Sequence, residues 1–339
     1  MSSQKTRTIL RNSTRSIYEP LNILSFPTHE RYQTNIAKTG HNFYLWQGEG
    51  IKPWVESYAP VPQNTNLLNP SKKDKQIPIE IDIDLVLSQN KFGQFQIAKQ
   101  LSEYYNVPLI SLEHTLPVET WGYEQLFNLY KMKGDINIFI SEYSREKWGW
   151  REDEADVVHH GIDTDLFSPG TEDRLPRALS VVNDWIQRDW CCGYRLWESI
   201  TGFPKDAFFD VHVVGDTPGL SEPASSTESL VEQYRKSQVF LNTSIISPVP
   251  TSLLEAMSCG CAIVTTENCM IPEIIQNGVN GYMSNDPVKL RNYAQKLIGN
   301  KDLAQEMGES ARKTVLEHFG IESFTKKWNQ IFTQSCLGQ

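Results

Sequence analysis

From Leu21 onward the chain alternates short apolar runs with longer stretches whose apolar residues recur at helical spacing, the pattern of parallel strands joined by crossover helices. The runs of the first half are 21–26, 42–46, 85–88, 108–112, 136–140 and 156–158. Residues 94–105 carry helical spacing, and 144–150 fit a short helix after the fifth run. GIDTDLFSPG, at 161–170, is rich in turn formers and ends this series. A second series begins at RALSVV, 177–182, and continues at 210–214, 239–242 and 261–265, with helical stretches around 194–200, 230–236 and 252–258. Amphipathic helices at about 287–298, 301–318 and 321–333 follow, and no internal repeat is visible. The expected fold class is therefore α/β, with two Rossmann-like parallel-sheet domains. In open sheets of this kind ligands sit outside the carboxyl ends of the strands, so a ligand is expected between the two domains and the residues just after each strand are the ones to read.

The 339 residues amount to about two domains at roughly 150 residues each, and 39% hydrophobic residues supply a core for both. Net charge is −9, which argues against a surface devoted to phosphate backbones. Residues 1–18 hold Lys5, Arg7, Arg11 and Arg15 and no acid; without these four the chain has 28 basic groups against 41 acidic ones, or −13. The arm reads either as a solvated tail or as a peripheral contact to a membrane or nucleic acid. The six cysteines, Cys191, Cys192, Cys259, Cys261, Cys269 and Cys336, match no paired zinc-knuckle spacing and read as reduced, mostly buried thiols. No apolar stretch follows the N-terminal basic residues and no run of about 18 apolar residues occurs, so a cytoplasmic location is expected.

The most informative segment is SPVPTSLLEAMSCGCAIVTTENCMIPE, 247–273. Pro248 and Pro250 hold the chain extended, Thr251 or Ser252 can cap a helix, and Gly260 turns that helix into the strand CAIVTT. The amides of Thr251, Ser252 and Leu253 and the positive helix end suit a phosphate. One turn on, Glu255 either accepts bonds from a ribose diol or stabilises its own helix. Asp82 and Asp84 satisfy the letters of a D-x-D metal clamp but alternate with Glu80 along an expected strand, so a solvated strand face is preferred and no metal is expected.

TSLLEAMSCGCAIVTTENCMIPEIIQNGVNGYM resembles the donor-binding segment of retaining family-four glycosyltransferases (glycosyl transferases group 1) of the GT-B fold, where an LLEAMACG-PVV run is followed by G-x-x-E-x-I-x-x-G-x-N-G. VVHHGIDTDLF at 157–167, VHVVGD at 211–216, SLEHTLP at 111–117 and ISEYSREKW at 140–148 are similar to further family segments in the same order. The resemblance is tight over 235–285, looser over 85–215, and before residue 80 only the strand pattern agrees.

After the basic arm at 1–20, the resemblance implies an acceptor domain at 21–168, a donor domain at 169–318 and a last helix, 319–339, that crosses back to the first domain. It implies a glycosyltransferase that moves a sugar from a nucleoside diphosphate sugar to a small-molecule, glycan or nucleic acid acceptor, with retention and without metal or other cofactor. Glu255 would be the second of the family's paired glutamates; the first should stand eight positions earlier, where this chain has Ser247, which carries no charge. Asn183 and Asp184 stand where the family has Gly-Arg, leaving Arg188 for the diphosphate, with Arg195 second, or else a pair of surface arginines beside a Trp-rich patch. Gly215 ends a strand of the donor domain. His114 at a strand end of the first domain would bond the donor sugar or a carbonyl near the reacting carbon, with Glu113 orienting it or capping the strand. Thr28, His29 and Glu30 replace a glycine-rich turn after the first strand, and Asn90, Lys91 and Gly93 follow the third; both loops are read as sugar or acceptor contacts. His160 and Asp163 lie at the domain junction as hinge or substrate residues. The competing readings are a degenerate sugar-nucleotide binding protein, motivated by Ser247, and a sugar-nucleotide epimerase. The oligomer is a monomer or homodimer.

Overall fold

The computed structural model describes residue 16 and residues 19–337, apart from 49, 50, 52, 57, 70, 79 and 119. Most of the basic arm, 1–15 with 17 and 18, lies outside the described residues. The chain divides into two compact units, one running up to His159 and resuming at Glu322, the other spanning His160–Ile321.

The first unit is built on a seven-stranded parallel sheet in the order β3-β2-β1-β4-β5-β6-β7. Its strands are β1 (Asn22–Phe26), β2 (Asn42–Trp46), β3 (Thr65–Leu68), β4 (Leu85–Ser88), β5 (Leu109–Glu113), β6 (Ile136–Phe139) and β7 (Asp156–Val157). The helices are α1 (Glu30–Ala37), α2 (Phe95–Tyr105), α3 (Tyr123–Tyr130) and α4 (Glu142–Lys147). Central strands β1, β4 and β5 are buried at every position, as a sheet covered on both faces requires. Leu24, Phe26, Val86, Leu109 and Phe95 form the core on one face.

Two elements escape the sequence pattern. β3, TNLL, is a polar edge strand whose central residues are not buried, so it lacks an apolar signal. α1 follows the first strand immediately, and its sequence ERYQTNIA has too few apolar residues to show a period. The acidic run around Asp82 and Asp84 also differs from expectation. β4 begins only at Leu85, and Asp84 is not on a solvated face: it is buried and accepts from the Asn22 amide at 2.6 Å, tying down the start of β1.

The second unit has a five-stranded parallel sheet in the order β12-β11-β10-β8-β9. Its strands are β8 (Leu175–Val181), β9 (Val211–Val214), β10 (Ser237–Asn242), β11 (Ala262–Thr265) and β12 (Tyr282–Met283). Helices α5 (Asp189–Cys192), α6 (Tyr194–Thr201), α7 (Thr227–Lys236), α8 (Thr251–Ser258), α9 (Ile271–Ile274), α10 (Pro287–Ile298) and α11 (Lys301–His318) connect and cover them. Trp185, Trp197, Ile200, Val239, Val264, Leu290 and Leu297 share its core.

The units part at 159/160, nine residues ahead of the boundary at 168/169 expected from the turn formers. The intervening segment is fastened to the second unit: Ile162 bridges Gly320, the Ser258 hydroxyl donates to the Phe167 carbonyl, and Arg312 reaches the carbonyls of Thr164 and Phe167. The last helix, α12 (Ile321–Leu337), packs on the first unit, with Trp328 fully buried and its Nε1 donating to the Tyr32 hydroxyl at 3.1 Å. Among the described residues no helix is long and apolar enough to cross a membrane.

Candidate active site

Strand order reverses in each sheet at one place, between β1 and β4 in the first and between β8 and β10 in the second. At such a switch point the loops leaving the two strands diverge and open a crevice at their carboxyl ends. Thr28, His29, Asn90, Lys91, Arg188 and Ser247 fall on loops leaving these four strands, and the other candidates on neighbouring helices or strand ends.

In the second unit the loop after β8 is held by the loop after β9: the Asp184 amide donates to Asp216 Oδ1 at 2.6 Å and the Trp185 amide to Thr217 Oγ1 at 2.9 Å. Gly215 permits this approach. A Cβ there would lie 1.9 Å from the Val182 carbonyl oxygen, so no side chain fits. Asn183 and Asp184, where a Gly-Arg pair was expected, are exposed, and Asp184 takes φ +49°.

The same loop is fastened to the one after β10. Thr243 Oγ1 donates to the Cys192 carbonyl at 3.1 Å, and the amides of Ile245 and Ile246 donate to the Cys191 carbonyl at 2.8 and 3.1 Å. Gly193 (φ +67°) sits against this contact, where a Cβ would fall 2.2 Å from the Thr243 carbonyl oxygen. Trp185, fully buried, adds its Nε1–H to the Cys192 carbonyl at 2.9 Å.

From there the chain runs through half-buried Ser247 to α8. The residue preceding α8 is Pro250, which offers no side-chain cap to the first-turn amides; Leu253 N donates back to the Pro250 carbonyl at 3.0 Å, while Thr251 and Ser252 occupy the opening two positions. Glu255, one turn in, is 2% exposed and accepts from the Tyr234 hydroxyl at 2.8 Å. Tyr234, on α7, is a partner the sequence reading missed; it is 21 residues away and carried no signal beyond an apolar helix position. Arg188 stands exposed at the start of α5, its Nη1 3.4 Å from the Asn183 carbonyl. Arg195 is also exposed and pairs with Asp189 at 3.4 Å, a screened surface contact of little energetic weight. Next to Arg188, Cys191 and Cys192 place their Sγ atoms 3.6 Å apart. The Cys192 thiol and then the Arg188 charge draw the Cys191 thiol down to about 6 against the opposing effect of burial. Of the six cysteines, Cys191, Cys259 and Cys261 are buried and the other three half-buried, all as free thiols.

In the first unit the β1 and β4 loops meet directly. Thr28 Oγ1 donates to the Gln89 carbonyl at 3.1 Å and accepts from Gln94 Nε2 at 3.3 Å. Beneath them lies a buried polar cluster that sequence reasoning missed: Gln89 Nε2 donates to Ser25 Oγ at 3.1 Å and to Gln33 Oε1 at 2.6 Å. His29 is exposed and His114 buried, both packed edge-on, the latter against His29 at 5.4 Å and Tyr32 at 4.5 Å between ring centroids. His114 thus follows the fifth strand of the sheet rather than the fourth, since β3 adds one. Glu30 is buried and accepts from the Val55 amide at 3.1 Å. Asn90 closes a turn by accepting from the Phe92 amide at 2.7 Å.

Glu113 and Lys91 turn inward. Glu113, 1% exposed, accepts from the Lys91 amide and from the amide and hydroxyl of Thr115, so its carboxylate caps the strand end and holds the β4 loop. Burial pushes its pKa up against those hydrogen bonds. The Lys91 ammonium donates to the Met132 carbonyl and lies 5.7 Å from the Phe95 ring centroid and 5.5 Å from that of Trp150. Burial lowers its pKa to about 8, with Glu113 opposing. A lysine whose folded pKa lies below its unfolded one is bound to fewer protons when folded, so stability rises with pH between about 8 and 10.5. Wild type is therefore expected to gain stability relative to Lys91→Met as pH climbs through that window; parallel urea midpoints at pH 7.5 and 10 check it, and a constant difference would refute the assignment.

Residues 223–314 match the model of the glycosyl transferases group 1 family. N-acetyl-alpha-D-glucosaminyl L-malate synthase of Bacillus anthracis is 37% identical over 82 residues, which are 24% of this chain and 22% of that protein. Alpha-maltose-1-phosphate synthase of Mycolicibacterium smegmatis is 23% identical over 283 residues, 67% of this chain and 73% of the relative. Among solved structures, Anabaena HepE in complex with UDP superposes with a TM-score of 0.73 at 14% identity, covering 93% of this chain and all (100%) of that one. Sucrose-phosphate synthase of Thermosynechococcus elongatus does so at 0.73 and 13% identity, covering 94% and 100%. The two parallel sheets, each with one switch point, have the GT-B fold of these solved structures. The match to the glycosyl transferases group 1 family lies within the second unit, over residues 223–314.

Proposed function

We propose that the chain transfers a sugar from a nucleoside diphosphate sugar to a hydroxyl acceptor, with retention of configuration and without a metal or other cofactor. The observation that carries this reading is the β10–α8–β11 unit inside the family-matched segment, where uncapped amides open α8 and Glu255 stands one turn behind them. The amides of Thr251 and Ser252 take the diphosphate, joined by that of Leu253 once it leaves the Pro250 carbonyl; Glu255 takes the ribose diol, and Arg188 the charge that grows on the departing phosphate. Arg195 serves as a second cation once it exchanges Asp189 for phosphate. Gly215 keeps the loops after β8 and β9 close enough to shape the nucleotide pocket. Ser247 offers a hydroxyl where the family pattern has a carboxylate, so the leaving phosphate itself takes the acceptor proton on the face it departs from. In the first unit His114, His29 and Thr28 supply hydrogen bonds to sugar and acceptor, while Glu30, Asn90, Lys91 and Glu113 hold the loops that carry them.

HepE has been solved with UDP, UDP and glucose, and UDP-glucose, which makes uridine diphosphate sugars the first donors to test. A correct donor at about 100 times its Kd adds roughly 2.7 kcal/mol to stability. A thermal-shift screen over UDP, GDP, ADP and CMP sugars should find one such compound, and failure of every one would end the donor-site reading. Binding without transfer would favour the sugar-nucleotide binding protein, a reading that Ser247 and the exposed Asn183–Asp184 pair motivate. Arg188→Ala removes a charge-assisted contact worth about 1.5–3 kcal/mol, so kcat/KM is expected to fall roughly 10- to 150-fold. Because Arg188 is exposed, the melting temperature should stay nearly constant. An unchanged kcat/KM would remove Arg188 from the mechanism.

A further inference from the structure

Sugar transfer makes no use of the Cys191 and Cys192 thiols, yet their carbonyls hold the loop after β8 to the loop after β10. The Cys191 carbonyl accepts from Ile245 and Ile246, and the Cys192 carbonyl from Thr243 Oγ1 and Trp185 Nε1. Their Sγ atoms lie 3.6 Å apart, with Cys192 the more exposed and Cys191 buried beside the Arg188 carbonyl. A disulfide needs about 2.05 Å between sulfurs. Consecutive side chains of a helix point to different sides, so the last turn of α5 must unwind for the two to bond.

We propose that Cys191 and Cys192 form a modification site: a vicinal dithiol that closes to a disulfide by exchange with a low-molecular-weight disulfide, and whose closure unfastens the two loops. In the first step the half-buried Cys192 thiol, its proton passing to the Cys191 sulfur 3.6 Å away, attacks one sulfur of the reagent, whose S–S bond breaks and releases one thiolate that takes up that proton. The Cys191 thiolate then attacks the Cys192 sulfur of this mixed disulfide and expels the second thiolate. The two cysteines lose two protons and two electrons, and the reagent is reduced to two thiols. The resulting ring contains the Cys191 carbonyl carbon and the Cys192 nitrogen, so the Cys191 carbonyl turns away from the amides of Ile245 and Ile246. This inference is independent of the sugar-transfer reading, since neither its chemistry nor its readouts involve a donor.

The full chain is incubated with excess oxidised glutathione, alkylated and mapped by peptide mass. A bond between Cys191 and Cys192, seen as the loss of two hydrogens from the peptide holding both, is the expected result. A stable glutathione adduct on Cys192, a bridge to half-buried Cys269, or no reaction at the pair would each overturn the proposal. Cys191→Ser should stop at the mixed disulfide on Cys192. Amide exchange at Ile245 and Ile246 should accelerate at least 10-fold in the oxidised wild type and stay slow in oxidant-treated Cys192→Ser. Equal protection in the reduced and fully oxidised protein would refute the unfastening.

Discussion

Glu255→Gln is expected to weaken binding of the donor nucleotide roughly 10- to 150-fold while leaving the melting temperature within a few degrees of wild type. The substitution keeps the volume of a side chain that is 2% exposed, so no cavity opens. It also keeps an oxygen to accept from the Tyr234 hydroxyl, now 2.8 Å away. What it removes is negative charge, and a carboxylate accepting from a diol forms charge-assisted bonds worth about 1.5–3 kcal/mol. Glu255→Ala differs in kind. It leaves the hydroxyl of Tyr234, a fully buried residue, without this acceptor, at a cost of about 1–3 kcal/mol in stability besides the volume lost. Tyr234→Phe separates the two effects, because it deletes the hydroxyl and keeps the carboxylate. Titration calorimetry with the nucleotide found in the thermal screen decides the matter. If Glu255→Gln binds as wild type does, the carboxylate is a structural partner of Tyr234 and the ribose assignment is wrong.

The parts of this site that are legible in the sequence are those encoded by neighbours along the chain. Pro250, Glu255 and Gly260 announce a strand-end loop, a short helix and a return strand within a dozen residues, and each apolar run of the core maps to a strand within a residue or two. Contacts between distant segments are not legible. Nothing local in Tyr234 signals Glu255, and nothing in Thr217 or Asp216 signals the amides of Trp185 and Asp184 that they receive. Charged letters misled where the chain turns inward. Lys91, Glu30 and Asp84 read as polar groups available to ligands or solvent, yet all three are buried, because backbone amides and carbonyls at strand ends need partners too. The polar edge strand β3 escaped for the converse reason, since a strand with little to bury leaves little pattern.

Trp328→Ala should be the most destabilising single change in the first unit. Trp328 is fully buried on α12, its ring 5.1 Å from that of Phe332 and 6.5 Å from that of Phe324, and its Nε1 donates to the Tyr32 hydroxyl at 3.1 Å. Truncating a buried tryptophan costs about 3–5 kcal/mol through lost transfer energy and the cavity left behind. For a unit of this size that corresponds to roughly 6–20 °C in the melting transition. The effect should also reach the candidate site, because Tyr32 packs edge-on against His114 at 4.5 Å and against Phe324 at 5.4 Å. Removing Trp328 loosens the far side of Tyr32 and with it one wall of His114. Trp328→Phe keeps an aromatic ring and loses the Nε1–H donor, so it should fall between wild type and Trp328→Ala. Calorimetry of the three proteins reads the ordering, with kcat at a temperature where all remain folded as the second readout. A loss below 2 °C for Trp328→Ala would mean that α12 contributes little to the first unit's fold, and that the Tyr32–His114 pair is held by the sheet alone.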